Sequence, residues 1–159
     1  MGRYFRRGKS KILFALEVAE LETPDASEID GAEDLSADVA EVTGFELSND
    51  PIGTPNLQDQ FTPQIDGEDT VPSSSLTFYD RDADGDGTPT EIRVALEKGT
   101  TGYLIFAPYG IVDGGRCEVW PVKSNGVNDQ WSIGNEAARF NVPFSVREVP
   151  EQNATLPTS

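Results

Sequence analysis

The chain's most specific chemical pattern is the acidic run DRDADGDGTPTE, residues 80–91. Asp80, Asp82, Asp84 and Asp86 alternate, Gly85 sits at the sixth position, and Glu91 closes the run. This spacing fits the calcium loop of an EF-hand: alternating carboxylates point inward at one cation, the glycine permits the sharp turn, and the final glutamate closes the site with both oxygens. Two features count against the match. Gly87 takes a position normally held by an aliphatic residue, and the entering segment reads as a strand, not a helix. The competing reading, and the favoured one, is an acidic turn with Pro89 at a helix start, so no cofactor is required and Ca²⁺ is the alternative.

Other chemistry is thin. The chain has no histidine, which excludes histidine-based triads, histidine-bound zinc and histidine pH switches. Cys117 is the single cysteine and lies in a strand pattern, so it reads as an inert core thiol, and an intrachain disulfide is excluded. Ser73, Ser74 and Ser75 precede a strand with no base in view, and Gly114-Gly115 reads as a turn, not a phosphate cradle. Trp120 and Trp131 read as core or interface anchors. Nothing here assembles a catalytic site, and the chain is expected not to be an enzyme.

The elements that must position these residues come from 159 residues, enough for one domain with arms. Fifteen glycines and eleven prolines favour turns over long helices. Residues 11–19 read as a strand. Pro24 to Gly31 reads as a short helix, with Asp25 or Ser27 as its cap and Gly31 as its stop. Asp38–Leu47 reads as a strand with a bulge near Gly44. Residues 75–79, 102–109, 116–123 and 138–149 are further strands. In the last two, Pro121 implies an edge or a bulge and Pro143 an edge position. Asn125-Gly126 is a turn signal. Thr90–Lys98 is the best helix, with Ile92, Ala95 and Leu96 on one face and Gly99 at its end. The tail from Pro150 reads as polar and extended. The expected fold is mainly β: an antiparallel β-sandwich or barrel with one flanking α-helix.

Residues 48–73 stand apart. They hold four prolines and only four apolar anchors, Ile52, Leu57, Phe61 and Ile65. A segment of this length is expected to be an extended hairpin or arm that docks on something, or else a disordered acidic loop.

Charge is divided by position. The chain has 28 acidic and 12 basic residues, net −16. Arg3, Arg6, Arg7, Lys9 and Lys11 supply five of the twelve cations, and no Lys or Arg follows until Arg81. Residues 12–159 therefore carry −21. Such acidity argues against nucleic-acid binding through phosphate neutralisation and against anionic membranes. The apolar run after the basic segment ends at Glu17, too short for a signal or a span, so no membrane insertion is expected. A basic arm on an acidic body is complementary to copies of itself, although a solvated basic terminus is the plainer reading.

The order of several segments resembles the major tail tube proteins of long-tailed bacteriophages, especially those infecting actinobacteria. They are Tyr4-Phe5-Arg6-Arg7-Gly8, Asp34-Leu35-Ser36, Phe45-Glu46-Leu47, Thr54-Pro55-Asn56-Leu57, Phe61-Thr62, Ser74–Tyr79, Ile92–Leu96 and Glu118–Val122. The resemblance implies a basic N-terminal arm at 1–11, a tail tube β-sandwich domain at 12–149 with an inter-subunit loop at 48–73, and a C-terminal tail at 150–159. It also implies subunits that form six-membered rings and stack into a hollow virion tube, assembled in the host cytoplasm. Its partners would be further copies and the tape-measure, tail terminator and baseplate or tail-tip proteins, with DNA passing through the lumen unbound. Arg3, Arg6, Arg7 and Lys9 would then make inter-subunit contacts, together with Ile52, Leu57, Phe61 and Ile65. The acidic run at 80–91 is outside this resemblance, and calcium rests on those residues alone. The alternatives are a calcium-binding β-module of a surface protein and the inner tube of a contractile injection system.

Overall fold

The computed structural model describes residues 2–3, 6–58, 60–80, 91–131 and 133–157. In chain order the elements are β1 (Lys11–Ala15), α1 (Ala26–Asp30), β2 (Glu33–Asp34), β3 (Val39–Thr43), β4 (Ser48–Gly53), β5 (Gln64–Thr70) and β6 (Ser74–Tyr79). There follow α2 (Glu91–Ala95), β7 (Thr101–Ala107), β8 (Arg116–Ser124), β9 (Asn128–Gln130), β10 (Arg139–Val146) and β11 (Glu151–Thr155). All strand pairings among these residues are antiparallel. The protein is mainly β, as its strand-rich pattern implied.

The main sheet runs β2-β1-β7-β8-β10-β6-β3, with β11 also paired to β8 and β9 to β10. Laid flat, its end strands would stand about 29 Å apart, at ~4.8 Å per strand. Only residues 35–38 join those ends, and a chain that short reaches about 18 Å at most. The sheet therefore curls on itself. The link is bonded at both sides of the seam: Leu35 N–H donates to the Ile12 carbonyl (2.9 Å), and Tyr79 N–H donates to the Asp38 carbonyl (2.8 Å). Leu35 fills the gap between them and is fully buried.

Two cores result. The inner one gathers Phe14, Leu35, Phe45, Leu76, Phe78 and Leu104 with Trp120, Phe140 and Val142 inside the curl, capped by Ile92 of α2 and by Leu96 just after it. The outer one lies on the opposite face of β1, β7 and β8, where Leu13, Ile105, Cys117 and Val119 meet Ile29 of α1 and Ala154 and Leu156. Strands between the two cores bury both faces. That is why Leu13, Phe14 and Ala15 form an unbroken apolar run where one-sided burial would alternate. The same holds for Arg116–Ser124, whose two side-chain rows belong to different cores.

Local signals explain the short helices. Asp25 is the N-cap of α1, Glu28 accepts the Asp25 N–H at 2.8 Å, and Gly31 follows the last turn. The helix expected over Thr90–Lys98 is described from Glu91 to Ala95, with the Leu96 N–H still bonded to the Ile92 carbonyl. It is anchored on the sheet by Arg93, which pairs with Asp129 and lies 5.2 Å from the Phe140 ring centre, and by Ser124 Oγ donating to the Leu96 carbonyl at 2.7 Å. Among the described residues both expected helices are present, α1 on the outer core and α2 on the inner one.

Two expectations need correction. Pro121 and Pro143 are not on edge strands, because β8 and β10 lie inside the sheet. The carbonyl of Pro121 accepts from Arg147, and that of Pro143 from Asn125. Backbone N–H and C=O of one antiparallel residue face the same way. The missing N–H of Pro121 therefore faces the gap where β8 changes neighbour from β10 to β11, and that of Pro143 the gap where β10 changes from β9 to β8. Each proline occupies a site where no donor is needed. The bulge expected near Gly44 lies instead between Val39 and Glu41. Gly44 and Phe45 end the strand, both with positive φ (80° and 58°). The C-terminal segment is extended, as read from the sequence, and its extension forms β11 and buries Ala154 and Leu156.

Candidate assembly surfaces

The hairpin β4–β5 is separate from the main sheet. Its residues are exposed throughout, save for half-buried Gly67. A lone two-stranded hairpin is marginal in water, and this one is held by local devices. The strands pair from Ser48↔Thr70 to Gly53↔Gln64, with a register shift between Asp50 and Ile52. Opposite that shift, Gly67 comes so near the Asp50 carbonyl that a Cβ there would overlap it. The Asn49 side chain bonds the backbone of Gly67 on both sides, donating to its carbonyl (2.9 Å) and accepting its N–H (3.1 Å). Towards the tip, Thr54 donates twice to the Pro63 carbonyl, from its N–H at 2.8 Å and its Oγ1 at 3.0 Å.

All four apolar anchors read from the sequence lie on this hairpin and its tip. Ile52 and Ile65 face each other across the strands, half exposed, and Leu57 and Phe61 stand out at the tip, Phe61 with 78% of its surface in solvent. Nearer the root, Asp50 and Glu68 are direct cross-strand neighbours, a like-charge pairing that is unfavourable without a cation.

The described part of the basic segment nearest the fold lies beside the end of β7. Arg3, Arg6, Arg7 and Lys9 are all exposed. The Arg6 carbonyl accepts from Lys9 and Ser10 in a turn through Gly8, and Ser10 Oγ donates to the Pro108 carbonyl at 2.8 Å. Next to this turn is a cleft of about 430 Å³. Its floor is aromatic: Phe45 packs against Phe106 (5.2 Å between ring centres) and edge-on to Trp120 (5.6 Å). The Phe45 backbone is held in its unusual conformation by Ser74 Oγ, which accepts its N–H at 3.0 Å. Sequence reasoning missed this cleft, since its walls come from β1, β3, β7 and β8, and only the curl of the sheet brings them together.

Of the expected calcium loop, Asp82, Asp84 and Asp86 lie outside the described residues; Asp80 directly follows β6 and Glu91 begins α2. Asp80 N–H donates to the Ala138 carbonyl at 2.8 Å. Among the described residues no group of three or more potential ligands gathers. Glu91 does lie near Glu33, whose carboxyl is pushed up first by burial, then by Glu91 and by Asp34. Cys117 is fully buried and its thiol is pushed up to about 11, chiefly by burial, with Glu118 adding to the rise and Arg116 opposing it. Such a thiol is no nucleophile at neutral pH. No described helix is long and apolar enough to cross a membrane.

The fold has relatives among solved assemblies. The chain is similar to the subunit of the tail of an empty gene transfer agent (GTA) particle with C6 symmetry, at 15% identity and a TM-score of 0.52, covering 92% of this chain and 95% of that one. It is similar to a chain of the native GTA virion at 16% identity and TM-score 0.51, covering 90% and 95%. It is also similar to a chain of the six-fold anti-feeding prophage (AFP) baseplate at 6% identity and TM-score 0.58, covering 93% and 95%. No curated protein matches the chain. The family described as phage tail tube protein matches residues 1–159. With its curled antiparallel sheet and projecting hairpin, the chain belongs to that family and is a structural component of the virion tail, not an enzyme.

Proposed function

We propose that this chain polymerises as six-membered rings stacked into the hollow tube of a long phage tail, through which DNA is ejected into the host. One observation carries the reading: a folded hairpin with exposed Ile52, Leu57, Phe61 and Ile65 projects from the sheet without joining it. Exposed apolar surface of this kind marks an interaction site, and the family and the six-fold symmetry of the similar GTA and AFP assemblies support a second copy as the partner. Rings require heterologous contacts, a knob on one copy entering a different surface of the next. The hairpin 48–73 and the basic segment 1–11 are then the two arms that complete their burial on neighbours. The tube's ends meet the tail terminator and the baseplate or tail-tip proteins, and its lumen holds the tape-measure protein before DNA passes. At −16 per copy, a ring of six is strongly acidic, and acidic walls repel phosphate so that DNA slides without sticking.

Electron microscopy of the purified protein tests this. Hollow tubes with six-fold rotational symmetry are expected, and a protein that stays monomeric at high concentration would overturn it. Deleting residues 1–9 should leave the fold intact and impair polymerisation. A sheath gene beside this one would assign the tube to a contractile machine instead.

A further inference from the structure

The reading above leaves open where the hairpin of one copy lands. We propose that its tip seats in the aromatic-floored cleft beside the N-terminal segment of the next copy, with Phe61 against Phe45 and Phe106. The proposal rests on the tube reading and adds to it a specific knob and a specific hole.

The knob is a tip whose Leu57 is fully exposed and whose Phe61 is mostly so. The hole is the cleft of about 430 Å³ floored by Phe45, Phe106 and Trp120, with Val42 on its wall. That volume accommodates a phenylalanine and a leucine side chain together, in the size range of ligand-binding pockets. Aromatic pairs offset or edge-on add to the gain from burial.

Length rules out the same copy as the occupant, and charge selects a second one. The cleft lies at residues 42–46, immediately before the hairpin's root at Ser48. A strand advances about 3.3 Å per residue, so Gly53 is already ~17 Å from the root, and the tip lies farther still. A paired, bonded hairpin cannot bend back over that distance onto its own base.

Charge sets the direction. The hairpin and its tip carry Asp50, Asp59, Asp66, Glu68 and Asp69 without one cation, whereas the first eleven residues carry five cations and no acid. Arg6 and Lys11 line the cleft itself. Glu46 and Glu118 line it too, but Glu118 is held by Arg116 (3.4 Å) and by Trp120 Nε1 (3.3 Å). An acidic tip entering beside Arg6, Arg7 and Lys9 places opposite charges together.

Cross-linking tests the contact. Phe61→Cys and Val42→Cys proteins are mixed, allowed to polymerise and oxidised, with buried Cys117 silent. The expected result is at least tenfold more disulfide-linked dimer in the mixture than in either variant alone. Phe61→Asp should abolish polymerisation and Phe61→Leu should retain it. Tubes that form without the mixed cross-link, tip-to-tip Phe61→Cys dimers as the main product, or normal tubes from Phe61→Asp would each overturn the docking while leaving the tube reading standing. An unmodified protein that forms no tubes would overturn both.

Discussion

The Asn49 side chain stands in for a missing backbone partner: its amide group bonds both the N–H and the carbonyl of Gly67, across the register shift of the hairpin. A third bond, to Asp69 Oδ1 at 2.7 Å, fixes the amide's orientation. Asn49→Ala removes all three, each worth about 1 kcal/mol net or less at an exposed site. The expected outcome is faster amide exchange across residues 48–70 with little change in the melting temperature, because the hairpin packs on neither core. A large drop in global stability would contradict the hairpin's independence.

Leu35 closes the seam between β2 and β3 with no surface exposed. Leu35→Ala opens a cavity in the inner core and should cost about 2–5 kcal/mol in denaturant unfolding. Val42→Ala, at an exposed position of the same edge, should stay within ~0.5 kcal/mol. Equal effects at the two positions would show that the seam is not where the curl is secured.

Glu33 gives a pH dependence with a definite sign. Its carboxyl is raised in the folded state from the ordinary 4.5 by burial and by the nearby Glu91 and Asp34. The folded protein then binds the proton more tightly than the unfolded chain, so this group's contribution weakens stability as pH rises through 4.5 to the raised value. Glu33→Gln should therefore stabilise the protein at pH 7 and confer no gain well below pH 4.5, where Glu33 is protonated in both states. Thermal melts at the two pH values measure this, and a gain of equal size at both would point to another cause.

Cys117 should be inert. Full burial and a thiol pushed up to about 11 leave neither access nor thiolate at pH 8. A thiol reagent such as DTNB should react with it only after unfolding in guanidinium. Rapid labelling of the native protein would mean that β8 and β11 separate readily.

Much of the local structure was legible from residue order. Alternating β-formers marked Ser74–Tyr79 and Arg139–Val146, and Asp25, Glu28 and Gly31 marked a helix between cap and stop. These signals are local, set by side-chain sterics and by polar groups a few residues apart. The four apolar anchors in a proline-rich acidic stretch likewise marked the hairpin before its pairing was known. The phage tail tube resemblance was also carried by the order of short segments, and the family match confirms it over the whole chain. Which strands become neighbours was decided only in three dimensions, because pairing joins residues far apart in sequence. The two prolines show the difference. Taken alone, Pro121 implies an edge or a bulge and Pro143 an edge, since a ladder needs an N–H at each paired position. In the folded sheet they lie inside it, at points where one neighbour ends and another begins. The aromatic-floored cleft arises in the same way, from four strands that no local pattern connects. Residue order alone was enough for β1, β3, β6, β7, β8 and β10, for the cap and stop of α1, and for the division of charge. Closure through Leu35, the strand prolines' neighbours and the cleft's walls had to wait for the curl of the sheet, because burial and pairing belong to the whole chain.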